Sequence, residues 1–133
     1  MPGGSKYELE IKERLENLGW LVVRSAGSMG AADIVAMKPS DRGVLLAIIE
    51  GKSLHGDTFY VSSTAKNIDQ WEAYKMLIEW GFPCVVYVIR WKSPPLMEFF
   101  DLAECDPDRM PIFRRGTGYS LERLERLAGK KGG

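Results

Sequence analysis

A chain of 133 residues, 45% of them apolar and 27% charged, is long enough for one domain with a real core and too short for two. Eighteen basic residues balance eighteen acidic ones, so no overall basic field marks a nucleic-acid binder, and no apolar run is long enough to span a membrane. Cys84 and Cys105 lack CxxC spacing and His55 is the sole histidine, which argues against a zinc site. The N-terminus, Met1 to Lys6, lacks the build of a signal peptide, and the few cysteines suit a reduced, intracellular, cytoplasmic setting. Charge is uneven: Arg114-Arg115 and Lys130-Lys131 leave the C-terminal third modestly basic.

In chain order, Ser5 to Leu18 reads as an amphipathic helix, with Tyr7, Ile11, Leu15 and Leu18 at helical spacing. Ser5 and Glu8 form a capping-box pattern, and Gly19 is placed to end the helix. Trp20 to Arg24 reads as a buried strand, followed by a loop of small residues, Ser25 to Ala31, of a kind that lets a backbone approach a phosphate. Two apolar strands come next, Ala32–Met37 and Val44–Lys52, joined by the turn formers Pro39, Ser40, Asp41, Arg42 and Gly43. Thr58 to Val61 is a short extended piece. Ser63 or Thr64 caps a second helix running to about Trp80, with Gly81 as its stop. Pro83 to Trp91 is the most continuous β-branched and aromatic run and is expected at the centre of a sheet. Leu96 to Phe100 is a further strand, Asp101 to Gly118 is irregular, and Ser120 caps a last helix over Leu121–Ala128 before a frayed tail at 129–133.

This order predicts a single α/β domain over residues 1–133: a central mixed β-sheet flanked by helices, with a helical crossover that imposes some parallel pairing. The helical stripe Trp71, Tyr74, Ile78 and the Met97–Phe100 strand form an apolar surplus that could serve as a dimer interface.

The chemistry concentrates at the strand ends. Asp33 starts one apolar run, and Glu50 and Lys52 end the next; two residues apart on a strand, Glu50 and Lys52 share a face. Charges in such places are costly to desolvate without partners. A divalent metal with a phosphate is one partner set, and an ordinary ion pair worth ~0–1 kcal/mol is the other.

Glu8 on the first helix, the Gly19-Trp20-Leu21-Val22-Val23-Arg24-Ser25-Ala26-Gly27-Ser28 segment, Asp33-Ile34-Val35-Ala36 and Glu50-Gly51-Lys52 resemble the PD-(D/E)XK nuclease superfamily, and within it the archaeal-type Holliday junction resolvases. Asp57 to Val61 and Gly118 to Glu122 extend the likeness, which covers Lys6 to about Leu127. The resemblance implies a restriction-endonuclease-like fold and a structure-specific endonuclease that resolves four-way DNA junctions by paired, metal-dependent phosphodiester hydrolysis.

It also implies roles. Asp33, Glu50 and the Gly51 carbonyl would hold one or two magnesium ions (manganese being the other candidate), with Glu8 completing the site. Lys52 would orient the attacking water or neutralise developing charge. Ser28 would touch the scissile phosphate and Arg24 a neighbouring one, while Lys38, Lys66, Arg114 and Arg115 are candidate DNA contacts from charge and position. A two-fold symmetric junction implies a homodimer. The chain departs from the family pattern at Leu9, where relatives carry Arg, in the lysine-free segment Met29 to Ala32, and in a longer second helix. The first two put the source of DNA binding in question and leave the metal ligands untouched. A duplex endonuclease of the same superfamily or a non-catalytic DNA-binding module are the other readings.

Overall fold

The computed structural model describes residues 5–24, 34–82 and 84–132, so Ser28 and Asp33 lie outside the described residues. Helix α1 (Ser5–Asn17) buries Ile11 and Leu15 completely. Ser5 is its first residue, and the Glu8 carboxylate meets Arg24 from within the first turn. The end of α1 follows from Gly19, whose φ of +98° only glycine adopts readily. There Gly19 N–H donates to Glu16 and Trp20 N–H to Leu15, so these two late helical carbonyls are satisfied.

Strand β1 (Leu21–Arg24) lies at the edge of a five-stranded sheet rather than inside it. Val22 is buried, whereas Leu21 is 64% and Val23 51% exposed, so the expectation of a buried strand holds for one face only. Strands β2 (Ile34–Ser40) and β3 (Gly43–Leu54) form the expected hairpin, turning at Asp41 and Arg42, with Ser40 paired to Gly43 at φ +118°. After β4 (Thr58–Tyr60), helix α2 (Ala65–Glu79) starts where Thr64 accepts from Asn67 N–H. It stops at Gly81, with Gly81 and Phe82 N–H groups donating to Ile78 and Leu77. Strands β5 (Val85–Trp91) and β6 (Leu96–Asp101) follow.

Sheet order is β1-β2-β3-β5-β6, with β3–β5 parallel and the other pairs antiparallel. The α2 crossover thus produces the parallel pairing that the element order required. The middle strand is β3; β5 is its inner neighbour, and all but Arg90 of its residues are buried.

One sheet face packs against α1 and α3 (Leu124–Gly132) through Ile11, Leu15, Ile34, Ile49, Val88 and Leu124. The other packs against α2 and a two-stranded ribbon of β4 with β7 (Ile112–Arg114). Phe113 of that ribbon stacks on Phe100 with ring centroids 4.7 Å apart. Burial of each such aromatic contributes about 1.5–3 kcal/mol.

Three further expectations change. Strand β7 arises inside the segment read as irregular, because Ile112 to Arg114 pair with Thr58 to Tyr60 across a long separation that no local pattern reveals. Leu121–Arg123 is a 3-10 turn and α3 begins only at Leu124, then continues through Lys130 and Lys131 to Gly132 where a frayed tail was expected. Most of the proposed dimer stripe is core: Trp71 and Tyr74 are 1% and 0% exposed, Met97, Phe99 and Phe100 are buried, and Ile78 is partly buried against the same cluster as Trp71 and Tyr74. The aromatics of α2 belong to the core on the β5 face, with Tyr74 against Tyr87, so their apolar area is already covered within one chain.

Candidate active site

The alternation of β3 decides which helix each site residue meets. Gly51 faces α1: a Cβ there would stand 3.0 Å from Ile11 Cδ1 and 3.4 Å from Tyr7 Cε2, so glycine lets the helix approach. Glu50 and Lys52 point the other way, toward α2. Glu50 is 2% exposed, and a carboxylate so buried needs partners. It has them in the Tyr74 hydroxyl, which donates to Oε1, and the Lys52 ammonium, 3.3 Å from Oε2. Lys52 Nζ also donates to Asn67 Oδ1 and Gln70 Oε1, each at 2.9 Å, and lies 5.8 Å from the Phe59 ring centroid.

Glu8 approaches from the α1 side. Its Oε1 is 3.3 Å from Arg24 Nη2 in a half-buried ion pair. Arg24 Nε is buried and has no hydrogen-bond partner among the described residues. The Tyr7 hydroxyl reaches toward the Gly51 carbonyl at 3.4 Å, tying the first turn of α1 to the site strand. Arg24, Ile34 and Ile49 form one row across β1, β2 and β3, and Glu50 follows directly. Segment 25–33, with Ser28 and Asp33, joins Arg24 to Ile34 in the chain and lies outside the described residues. Among the described residues no three His, Cys, Asp or Glu side chains cluster at metal-binding distance.

Of the remaining basic candidates, Lys38 is engaged elsewhere. Lys38 Nζ donates to the Leu18 carbonyl and to Glu125, both at 2.7 Å, fastening the end of α1 to α3. It pairs with Leu45, four rows from Ile34, so the structure gives it a clamping role. Lys66 is exposed in the first turn of α2, and Arg114 is exposed on β7. Arg115 donates its backbone N–H to Asp57, while its buried Nη1 has no hydrogen-bond partner among the described residues.

Sequence reasoning missed Asn67, Gln70 and Tyr74. Their signal was present as polar or hydroxyl-bearing residues at i, i+3 and i+7, one side of a helix that must cross the sheet beside Glu50 and Lys52. Tyr74 was read as an apolar stripe member, and its ring does pack edge-on against Tyr87 at 5.8 Å while its hydroxyl serves Glu50.

The family model for "Archaeal holliday junction resolvase (hjc)" matches residues 2–77, more than half of the chain. Among solved structures the fold is similar to that of Archaeoglobus fulgidus Hjc, a Holliday junction resolvase from an archaeal hyperthermophile, with a TM-score of 0.66 and 19% identity over 96% of this chain and 97% of that one. No curated protein matches.

Proposed function

The chain belongs to the archaeal Holliday junction resolvase family and is a junction-resolving endonuclease, and from that premise we propose that it cuts by paired, magnesium-dependent hydrolysis at a site built on Glu8, Asp33, Glu50, Gly51 and Lys52. The observation that carries this reading is the buried Glu50 beside the Lys52 ammonium, at the level where β1 ends and β2 begins. The donors are hard oxygens: the carboxylates of Glu50, Asp33 and Glu8 and the Gly51 carbonyl, a set that suits magnesium or manganese rather than zinc. When bound, the ion supplies an attacking water of lowered pKa and a polarised phosphoryl oxygen.

The chain's own groups do the rest. Lys52, as a fixed ammonium at the mouth of a buried carboxylate, neutralises charge that develops on the phosphate. Arg24 presents a guanidinium with an unpartnered Nε among the described residues, and in this reading it donates to a backbone phosphate. Ser28 contacts the scissile phosphate, and Lys66, Arg114 and Arg115 extend the DNA contacts on the α2 and ribbon side. A two-fold symmetric junction nicked at matched positions calls for a homodimer, so that two such sites act together.

Labelled synthetic four-way junction and duplex, incubated with the protein and magnesium or EDTA, test the proposal. Paired, symmetric, magnesium-dependent nicks on the junction are expected. Equal cutting of duplex would replace it with a general duplex endonuclease, and tight junction binding without cutting would leave a binding module. Sedimentation with and without junction tests the homodimer, and a monomer under both conditions would overturn it.

A further inference from the structure

A lysine ammonium has three N–H donors. In this chain they face three acceptors: Asn67 Oδ1 and Gln70 Oε1 at 2.9 Å and Glu50 Oε2 at 3.3 Å. Two are neutral amides one turn apart on α2, and the third and longest is the carboxylate. Asn67 is itself fixed. Its backbone N–H donates to Thr64 Oγ1 at the helix cap, and its side-chain nitrogen donates to Ser63 Oγ at 3.2 Å, which turns Oδ1 toward Lys52.

We infer that Asn67 and Gln70 are positioning residues for Lys52: the two α2 amides hold the ammonium by two of its N–H groups and aim the third along the Glu50 edge, toward the substrate. This deepens the proposed site and rests on that reading. A lone lysine on a strand carries four rotatable bonds and about 2 kcal/mol of rotamer entropy. Held at two points, its head group is already ordered before substrate arrives, the condition under which a charge contributes most to a transition state. Neutral amides suit the task better than carboxylates, because they orient the ammonium without cancelling its charge. The Glu50 contact is the one a substrate oxygen would share or replace, being the longest of the three.

The test pairs a rate with a direct view of the ammonium, using the full chain. Single-turnover junction cleavage and junction affinity are measured for the wild type and for Asn67→Ala, Gln70→Ala and Gln70→Glu. Lysine Nζ cross-peaks are recorded in 1H–15N spectra, with Lys52 assigned by its disappearance in Lys52→Arg. In the wild type a slowly exchanging Lys52 ammonium peak is expected. Each alanine variant should lose that peak and cut about 10- to 100-fold more slowly with junction affinity unchanged, while Gln70→Glu, which keeps an acceptor, retains the peak. Alanine variants that cut at the wild-type rate, or that slow while keeping the Lys52 peak, would overturn the inference. A wild-type chain that cuts neither substrate would fail the functional proposal instead. In that case the ammonium spectrum alone decides whether the two amides hold Lys52.

Discussion

Trp91 donates its indole N–H to Glu98 at 2.7 Å inside the core, pairing the last residue of β5 with a carboxylate on β6 that is 4% exposed. The same carboxylate accepts from Gly116 N–H at 2.8 Å and Gly118 N–H at 3.0 Å, so it pins the chain that follows β7 to the sheet. Glu98→Leu removes the acceptor from three buried or half-buried donors. It should cost about 3 kcal/mol or more, read as a lower urea midpoint at unchanged slope, and Glu98→Gln should cost less.

Gly118 is required by closeness rather than by backbone conformation. A Cβ there would stand 2.7 Å from the Phe99 carbonyl oxygen and 2.9 Å from Phe100 Cε2. The backbone cannot yield, because Phe99 and Tyr119 exchange both N–H···O bonds at 2.8 Å. Gly118→Ala should lose about 1–3 kcal/mol, visible in thermal unfolding.

Substitution at the proposed metal ligands separates chemistry from binding. Asp33→Asn and Glu50→Gln should reduce junction cutting by on the order of 10³-fold while electrophoretic shift of the junction persists. Unchanged cutting in either variant would remove that residue from the site.

Lys38 supplies a contrast. Because its ammonium joins the Leu18 carbonyl to Glu125, Lys38→Ala should cost about 1 kcal/mol of stability and leave junction affinity and cutting unaltered. A selective loss of affinity would instead restore Lys38 to the DNA-contacting set.

The Cys105 thiol is pushed up from 9.0 to about 11, first by burial and then by the neighbouring Asp101 and Glu104 charges. The folded chain keeps this proton over a range in which an unfolded chain releases it. Its contribution to stability is therefore whole below pH 9 and is lost as pH rises toward about 11. Alkylation of native protein should stay slow at pH 9 and accelerate only near the raised value, whereas urea-unfolded chain should react at pH 9 as an ordinary thiol.

Local patterns made much of this legible. The glycine stops at Gly19 and Gly81, the Asp41-Arg42 turn and the Thr64 cap are encoded within a few residues, and the structure has all of them. The shared face of Glu50 and Lys52 follows from strand geometry alone. What failed to show depends on partners distant in sequence. The three residues of β7 form a strand only because Thr58 to Tyr60 lie alongside. Trp71 and Tyr74 looked like spare apolar area because nothing local announces the sheet face and distant aromatics that bury them. The amides of Asn67 and Gln70 gain meaning only when the crossover sets α2 over β3, and a lysine such as Lys38 reads as a free charge until α3 returns to meet it.

The pairing of β3 on both sides has a consequence for how this gene can vary in length. Ile48 to Lys52 are held in register by β5 throughout and by β2 as far as Ile49. One codon gained or lost between Ile48 and Lys52 would reverse which face each later side chain takes, sending Lys52 toward Tyr7 and Ile11 and away from the amides of α2. The Asp41-Arg42 turn, exposed at the far end of the same hairpin, carries no such constraint and can lengthen freely. Viable insertions in this hairpin should therefore collect at its tip, with none in the five residues Ile48 to Lys52.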